Sequence, residues 1–566
     1  MDEGLGALPS RRATIHHLTL LIRLSIPMSL YFETALPPAP ASPNRTDVAC
    51  FIGFIARRRG VPLPAAVREE LRTAGWVRGP WRQGEDALQS LENLPITVES
   101  WEAFARLFAW EQRPLEADQV TDAGAACTTY MGAAVRSFFA RGGKRAVVIR
   151  VGDPWPYLES SVRRTVRRRE RLVRLVPDFA DRSMPAHPFD PTDPRTWRGI
   201  YHLYGLREVS LLCLPDLSDA CAVEPATPAI SLPPPVLPEA FVECSEDEPA
   251  LPQDRGLRLI PAPRLDSRSF APWRLAVASV RAFLARHQRE VIFVAALPLP
   301  HLEARRVTGG GWVHAEADML GFLRRTGVFE SAGRFEAGDT TLASAFVQLA
   351  YPWLCTRAGV DLPEGAEPPD GLLAGLMSAN ALTRGTFNSV AGRFSVPRLN
   401  DVHSTVPPIS WGAGPDSPSE KLAERVCLFA PSPDGVTLQS DVTASPEPAW
   451  RSGGASRLMG ALIRAARLTG ESVLFDGNGP AVWTRVRRSI EDLLEAFWRQ
   501  GALAGNSAAD AFSVRCDRST MTQNDIDNGR LLVEISVRPA ASIERITVVL
   551  NLASSGAGAG NLREVA

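Results

Sequence analysis

Cysteine and histidine are among the residue types in this chain that could ligate a metal or pair a nucleophile with a base. No two cysteines form a Cys-x-x-Cys motif, and no histidine pair stands at metal-ligand spacing beside them. Several cysteines lie inside apolar runs such as VACFIGFI and VSLLCLPDL, which favours buried, reduced thiols over disulfides and fits assembly in a cytoplasm. The cysteines are Cys50, Cys127, Cys213, Cys221, Cys244, Cys355, Cys427 and Cys516.

Motifs of common catalytic and nucleotide-binding sites are missing from the sequence. The chain has no H-E-x-x-H and no G-x-S-x-G, and GGKRA at 142–146 lacks the Ser/Thr and upstream glycine of a phosphate-binding loop. GAGAG at 556–560 is interpreted as a flexible tail and TGGGWVH at 308–314 as a turn. We therefore predict no catalytic residue, no cofactor and no metal, and we expect surface or core roles for the scattered histidines His16, His17, His187, His202, His287, His301, His314 and His403.

One charged run, VRRTVRRRERLVRLV at 162–176, could bind an anionic partner. Its spacing predicts a helix on which Val162, Val166, Val173 and Val176 share a face, while seven arginines occupy the rest. Three interpretations stay open: a solvated basic helix, a contact with an acidic protein surface, and nucleic-acid binding. The last is disfavoured because no basic fold motif surrounds the run.

Length and composition indicate a large protein of ordinary globular type. The 566 residues are too many for one core and predict two to four domains; 45% of residues are hydrophobic and 22% charged. A net charge of −1 gives no overall field towards nucleic acid or membranes. Lys144 and Lys421 are the only lysines, so the remaining basic residues are arginines.

The N-terminal stretch HHLTLLIRLSIPMSLYF weakly resembles a signal peptide. Arg23 and Pro27 interrupt its apolar run, so a signal peptide is disfavoured, and Met1 and Met28 both remain possible starts. No run of eighteen uninterrupted apolar residues occurs, so no membrane span is expected.

The elements that would position any site alternate between helices and apolar strands. Strands are predicted at 47–55, 146–151, 209–214 and 291–296, and helices precede the second and the fourth of them. Pro-rich tracts at about 218–270 and 397–420 read as surface loops or boundaries. The fold class predicted is α/β, or mixed α+β, with layered helices and sheet.

The last predicted domain opens with a strand in GESVLFDG and continues with a helix. Asn478 is predicted to be its N-cap and Pro480 to lie in its first turn, and the buried stripe is Trp483, Val486, Ile490, Leu493, Leu494 and Phe497. Two strands then close the chain. Their inward residues are predicted from strict alternation: Leu531, Val533, Ile535 and Val537 in the first, and Ile546, Val548, Leu550 and Leu552 in the second.

Taken in order, these segments resemble the phage tail sheath family, which includes sheaths of contractile tails, R-type tailocins and extracellular contractile injection systems. The N-terminal half contributes RTDVACFIGF, ITVESWEAFARLF and YMGAAVRSFFARGGKRAVVIRV. The middle contributes LREVSLLCLPDL, LASAFVQLAYPWL and GLLAGLMSANALTRGTFNSVAG. The most specific segments are VLFDGNGPAVWTRVRRSIEDLLEAFWRQGALAG and FSVRCDRSTMTQNDIDNGRLLVEISVRP; about half of the chain is covered in all.

The resemblance implies a structural subunit rather than an enzyme. Such subunits stack as hexameric rings around an inner tube and drive the tube forward on contraction, and their terminal arms add strands to neighbouring subunits. On this basis the eight alternating residues of the closing strands are expected to take part in inter-subunit strand exchange. The charged helix face of Arg485, Arg488, Glu491 and Glu495 is the candidate for contact with the tube.

Expected partners are other copies of the chain, an inner tube protein, baseplate and cap proteins, and sheath paralogues, with no nucleic acid and no membrane contact. The particle is expected to assemble in the bacterial cytoplasm as part of a phage tail or tail-like particle, with extracellular release as an option. Two alternatives stay open: a specialised ring at the baseplate or cap end, and, less favoured, an α/β enzyme.

The sequence departs from the family at three places. The usual N-terminal arm is not recognisable in MSLYFETALPPAPASP, which leaves an N-terminal exchange strand in doubt. The arginine run and the Pro-rich loop stand where an outer domain is often inserted, and RVCLFAPSPDGVTLQSDV matches poorly. The predicted domains follow in chain order. They are an N-terminal arm (1–46), a first α/β part of the core (47–217), a Pro-rich surface loop (218–270), a second α/β part of the core (271–420), a C-terminal sheath domain (421–552) and a flexible tail (553–566).

Overall fold

A computed structural model of the chain describes most of its residues. The described ranges are 18–23, 45–77, 87–116, 126–179, 190–223, 257, 260–266, 268–300, 305–306, 312–313, 342–392, 395–397, 422–432, 435–474 and 476–540.

The strands alternate in the chain with helices over most of its length. In chain order the strands are β1 (Leu18–Arg23), β2 (Ala49–Gly53), β3 (Pro95–Val98), β4 (Arg113–Pro114), β5 (Ala126–Cys127), β6 (Ala146–Arg150), β7 (Leu211–Cys213), β8 (Arg264–Leu265), β9 (Ile292–Ala296), β10 (Leu299–Pro300), β11 (Arg305–Arg306), β12 (Trp312–Val313), β13 (Val347–Tyr351), β14 (Leu354–Cys355), β15 (Ala366–Glu367), β16 (Ser395–Pro397), β17 (Val426–Ser432), β18 (Gly435–Leu438), β19 (Phe512–Arg515) and β20 (Leu532–Val537). The helices are α1 (Ala65–Thr73), α2 (Trp101–Leu107), α3 (Tyr130–Ala140), α4 (Ser161–Leu175), α5 (Leu217–Cys221), α6 (Phe270–His287), α7 (Asp370–Thr383), α8 (Pro448–Arg451), α9 (Gly453–Glu471), α10 (Pro480–Arg499), α11 (Ala508–Ala511) and α12 (Gln523–Asp527).

A nine-stranded sheet forms the body of the protein, in the order β16-β18-β17-β13-β9-β7-β2-β6-β3. The six strands from β17 to β6 run parallel to their neighbours, and β3, β18 and β16 pair antiparallel at the two edges. The parallel strands are short apolar runs buried on both faces, as expected when helices cover both sides of a sheet. The predicted α/β fold class is confirmed.

Helices cover the two faces of this sheet with two separate cores. Residues of α4 and α6, including Leu172 and Trp273, pack against one face. Residues of α2, α3 and α7, including Phe104, Phe138 and Leu376, pack against the other. Helices α3 and α7 lie so close that a Cβ atom on Gly371 would stand 2.4 Å from the carbonyl oxygen of Ala134.

The C-terminal part has a core of its own, formed by α9, α10 and a three-stranded sheet in the order β1-β20-β19. The sequence predicted a strand in GESVLFDG, and that prediction is wrong: α9 runs to Glu471 and a turn follows. Strands β17 and β18 belong to the nine-stranded sheet, although they fall inside the predicted C-terminal domain 421–552.

The ends of the predicted surface loop at 218–270 are not on the surface. Residues 217–221 form α5, and Ala262, Arg264 and Leu265 are buried in the body. Seven of the eight cysteines lie in the described residues; all seven are free thiols, and six of them are buried. Among the described residues no helix is long and apolar enough to cross a membrane.

Candidate assembly site

The three-stranded C-terminal sheet is the part of the structure that the sequence singled out for contacts between subunits. A capping box between Thr522 and Asp525 starts α12, and Gly529 then adopts φ +67, so that β20 can begin directly afterwards. Burial alternates strictly along β20, where Val533, Ile535 and Val537 point into the core. This part of the predicted alternation is confirmed, and Leu531 packs half-buried at its start.

Helix α10 lies beneath this sheet and is fixed to it by a polar contact. The buried residues of α10 are Trp483, Val486, Ile490 and Leu494, with Leu493 and Phe497 half-buried, as the predicted stripe requires. Gly479, not Asn478, is the N-cap of α10. The Asn478 side chain instead accepts a hydrogen bond from Trp483 Nε1 at 2.7 Å and donates to the carbonyl of Arg530 at 3.2 Å, which ties the start of α10 to the start of β20.

Both edges of β20 are occupied within the single chain. Residues of β19 pair on one side, and residues of β1 pair on the other over the full length of Leu18–Arg23. The register places Leu18, Leu20 and Ile22 opposite Val537, Ile535 and Val533. The expectation that β20 presents an unpaired edge is therefore wrong for the isolated chain, because the N-terminal segment fills that edge.

The N-terminal segment supplies a strand, β1, and its exchange between subunits stays a prediction. The apolar run that weakly resembles a signal peptide supplies a strand, and MSLYFETALPPAPASP follows it. The predicted second closing strand, with Ile546, Val548, Leu550 and Leu552, lies outside the described residues.

Buried arginines on α9 join the C-terminal core to the nine-stranded sheet. Arg457 makes two hydrogen bonds to Asp441, at 2.9 Å and 2.6 Å, and the two side chains are 4% and 0% exposed. Arg457 also donates to the carbonyls of Thr386 and Asn388. Asp441 in turn accepts from Gln348 of β13 at 3.0 Å, so one connected polar network links α9 to the body.

Two further arginines of α9 continue this attachment. Arg464 donates to the carbonyl of Val209 at 2.7 Å and to that of Arg45, and Arg467 pairs with Glu290. The glycine between them and Arg457 allows close approach, since a Cβ atom on Gly460 would lie 3.0 Å from the carbonyl oxygen of Glu290. Helix α9 therefore packs its apolar residues in the C-terminal core and is joined to the body by its arginines.

The electrostatics of this attachment depend on burial and pairing. Burial disfavours the carboxylate of Asp441, but the charge and hydrogen bonds of Arg457 outweigh it and hold the pKa of Asp441 below its usual value. Burial lowers the pKa of Arg464 to about 10, partly offset by Glu208 and Asp47. The Asp441–Arg457 pair is therefore ionised at neutral pH, and removing one of its partners would leave the other as a buried charge. Arg464 is also protonated at neutral pH.

The sequence did not identify these arginines because α9 itself was missed. A usable signal exists in GGASRLMGALIRAARL, where Arg457 and Arg464 stand seven residues apart among apolar residues. Seven residues place two side chains on the same face of a helix, which indicates arginines that pair within the protein.

The face of α10 proposed for the tube is exposed, and three of its four predicted residues pair within the chain. Arg485 contacts Asp476, Glu491 lies 3.7 Å from Arg487, and Glu495 contacts Arg499. Arg488 is exposed. The structure thus brings these residues onto one surface and leaves their role in tube contact a prediction.

The carboxyl ends of the parallel strands are where an α/β enzyme would hold its ligand, at the point where strand order reverses. Here that point lies between β2 and β7. The side chain of Asp216 lies there and accepts a hydrogen bond from the Phe54 backbone N–H at 2.7 Å. Burial raises the pKa of Asp216 to about 7. Beside it, Arg113 and Asp219 form a 2.7 Å ion pair with side chains 3% and 0% exposed, so the chain's own residues occupy this crevice.

The described residues contain no group of three or more His, Cys, Asp or Glu side chains arranged to hold a metal ion. Burial lowers the pKa of His202 to about 4, and both ring nitrogens contact backbone carbonyls, those of Gly199 and Asn93. This histidine is a neutral core residue, as expected.

Comparison with known proteins gives one match in sequence. Residues 445–553 match the family described as phage tail sheath C-terminal domain. No curated protein sequence matches the chain.

Solved structures give the fold over nearly the whole chain. A chain in the anti-feeding prophage (AFP) baseplate, 6-fold symmetrised, is 17% identical with a TM-score of 0.51, covering 94% of this chain and 99% of that one. A chain in the AFP baseplate in contracted state is 15% identical with a TM-score of 0.51, again covering 94% and 99%. A chain in the AFP helical sheath in contracted state is 17% identical with a TM-score of 0.48, covering 94% and 99%.

The chain shares its overall fold with the AFP baseplate chains. Residues 445–553, which match the family described as phage tail sheath C-terminal domain, contain α9, α10 and the strands β19 and β20. The resemblance to the phage tail sheath family that the motifs indicated is thereby confirmed.

Proposed function

We propose that this chain is a subunit of a contractile sheath that polymerises as stacked hexameric rings around an inner tube and drives the tube forward on contraction. The observation that carries the proposal is the pairing of β1 with β20 across a long connection. The 21 residues at 24–44 separate β1 from the body, and they include PPAPASP. Fully extended, 21 residues span about 70 Å, which is enough to reach a neighbouring subunit.

A strand on such a connection can be exchanged between copies at little cost. The β1–β20 pairing uses main-chain hydrogen bonds, and these are the same whether β1 comes from the same chain or from a neighbour. Exchange in a ring would therefore convert contacts within one chain into links between subunits. The links would hold while the bodies rotate, and the work of contraction would be the difference in packing between two lattices.

The domain division that fits this role differs from the one in the sequence prediction. We propose an N-terminal arm up to about residue 44, a body of the nine-stranded sheet up to about residue 444, and a C-terminal sheath domain from 445, where the family match also begins. The buried arginines of α9 would hold the body and the C-terminal sheath domain together during contraction.

Partners follow from this role. Other copies bind through the C-terminal sheet, and the outer face of α10 is the proposed contact with the inner tube. Baseplate and cap proteins, and sheath paralogues, would meet the ends of the stack. The role needs no enzymatic activity, and the free thiols support assembly in a reducing bacterial cytoplasm, followed by release within a tail-like particle.

Negative-stain imaging of the overexpressed full chain tests the proposal. A sheath subunit gives helical tubes or cogwheel-shaped rings, whereas an enzyme gives single particles. A specialised ring at the baseplate or cap end gives isolated rings without a helical stack, and that outcome would select the alternative role.

Two deletions locate the exchange strands. Removing residues 1–44 takes away β1, and removing 539–566 leaves β20 intact but takes away the predicted second closing strand. Each variant is expected to stay folded by circular dichroism and to lose polymerisation. Polymers formed by both variants would refute strand exchange at these termini.

A further inference from the structure

Helix α4 turns arginines rather than its N-terminal valines towards the body. Of the four valines predicted to share a face, Val162 and Val166 are 72% and 73% exposed, whereas Val173 is half-buried and Val176 buried. Arg164 and Arg171 face inward beside Leu172 and Leu175. These arginines can be buried because the body offers carboxylates to this helix.

Those carboxylates fix the helix firmly. Arg171 pairs with Glu159 at 2.6 Å, with both side chains at least 93% buried, and Arg164 lies 3.4 Å from Asp219 of α5. Arg171 also stacks over the Trp155 ring, with 4.1 Å from the guanidinium carbon to the ring centroid. These contacts hold the inner face of α4 against the body and leave its outer face exposed.

This outer face combines apolar and cationic side chains. Val162 and Val166 are the two most exposed large hydrophobic side chains among the described residues, and Arg163, Arg167 and Arg169 surround them in exposed positions. No ion pair joins Arg163 or Arg169 to another residue of the described part of the chain. A face of this kind suits an acidic segment that also carries apolar residues.

We propose that this face binds the chain's own acidic segment, EAFVECSEDEPALPQD at 239–254, which lies outside the described residues. The segment has six acidic residues, no basic residue, and the apolar residues Phe241, Val242 and Leu251. Its charge is therefore complementary to that of the arginines around Val162 and Val166.

The two points where the chain leaves and re-enters the described structure both lie close to α4. It leaves after α5, whose Asp219 contacts Arg164, and it returns near Pro261, whose carbonyl accepts a hydrogen bond from Tyr157 Oη at 2.6 Å. The backbone carbonyl of Tyr157 in turn accepts from Arg164. The 33 residues at 224–256 are ample to follow a helix about 22 Å long, and tethering at both ends gives an effective concentration of about a millimolar.

Disulfide trapping with a native cysteine tests the proposal in the full chain. Cys244 lies in the middle of the acidic segment, and Val166→Cys or Val162→Cys would place a thiol on the exposed face of α4. Val360→Cys is the matched control, because Val360 is a valine 51% exposed elsewhere on the body. After mild oxidation, peptide mapping without reduction identifies which thiols are joined.

The expected result is a link from Cys244 to position 166 or 162 that forms at least about tenfold faster than the link to position 360. Replacing Glu246, Asp247 and Glu248 by their amides, or raising the salt from about 0.05 M to 0.5 M, should slow it about tenfold through loss and screening of the ion pairs. Equal rates at positions 166 and 360 would overturn the proposal.

Mixing separates binding within one chain from binding between copies. A chain with Val166→Cys and Cys244→Ser is mixed with a chain that keeps Cys244 and Val166. A link between the two chains at the rate seen in the single variant would overturn binding within one chain and assign the face to a second copy. Absence of that link, together with the fast link in the single variant, supports the proposal.

Discussion

Replacing Asp441 by asparagine is expected to loosen the attachment of the C-terminal sheath domain to the body. The change keeps the size of the side chain and removes its charge, and it leaves Arg457 buried without a counter-ion. Arg457 donates to both carboxylate oxygens, so the amide N–H₂ of asparagine would face an Arg457 donor in either orientation. In one orientation it would also face the Val390 N–H, which donates to Asp441 at 2.9 Å. Breaking a buried, bidentate pair by removing one partner costs about 3–5 kcal/mol.

Hydrogen exchange of the α9 amides, followed by mass spectrometry, measures this cost locally. A loss of about 3–5 kcal/mol accelerates exchange by about a hundredfold or more when exchange reports the opening equilibrium. Glu495→Gln is the matched control, because it breaks an ion pair with Arg499 in which the side chains are 42% and 71% exposed. Exposed pairs of this kind contribute about 1 kcal/mol or less.

The reasoning is refuted if Asp441→Asn changes α9 exchange no more than the Glu495→Gln control does. A second consequence concerns the proposed function, in which α9 would transmit force from the C-terminal sheet to the body. Sheaths of the Asp441→Asn variant are therefore expected to assemble and then to break or to stall on contraction, which electron microscopy of triggered particles would reveal.

Three further predictions follow from burial, close packing and charge. Gly371→Ala should destabilise the protein by about 1–3 kcal/mol in urea denaturation, since its Cβ atom would stand 2.4 Å from a carbonyl oxygen, whereas Gly477→Ala, which meets nothing within 4 Å, should be neutral. Burial raises the pKa of Asp216 to about 7, so its contribution to the free energy of unfolding is full below about pH 4 and declines as the pH rises to about 7. Across that window the wild type should lose up to about 1.4 kcal/mol of unfolding free energy per pH unit relative to Asp216→Asn. Parallel pH profiles of the two proteins would contradict this. Arg488→Glu should leave unfolding unchanged and weaken co-sedimentation with the inner tube protein, and unaltered co-sedimentation would remove this residue from the tube contact.

Sequence patterns were sufficient for the elements whose periodicity comes from burial. The parallel strands of the body read as short apolar runs because both of their faces are covered, and α10 shows a clear stripe because only one face is. Strand β20 alternates for the same reason. The fold class could therefore be predicted from the sequence alone.

Hydrophobic periodicity could not predict the helices whose buried faces contain charged residues. On α4 and α9 the buried faces contain arginines, so hydrophobic periodicity did not identify the buried face of α4 and gave no helix for α9. The carboxylates that pair with these arginines come from outside the helices themselves: Asp219 is 55 residues from Arg164, and Asp441 is 16 residues from Arg457. Hydrophobic periodicity carries no signal of such pairing, because it reports only where apolar residues fall. The same applies to β1, whose partner lies more than 500 residues away.

Crosslinking between β1 and β20 in the assembled polymer tests the central claim most directly. The register places Thr19 opposite Ser536, so one chain would carry Thr19→Cys, a second would carry Ser536→Cys, and a short bis-maleimide would be added after co-assembly. Strand exchange predicts products that join the two different chains in polymers. Polymers of the doubly substituted chain that crosslink only within each subunit, and mixed polymers that give no product between chains, would contradict it.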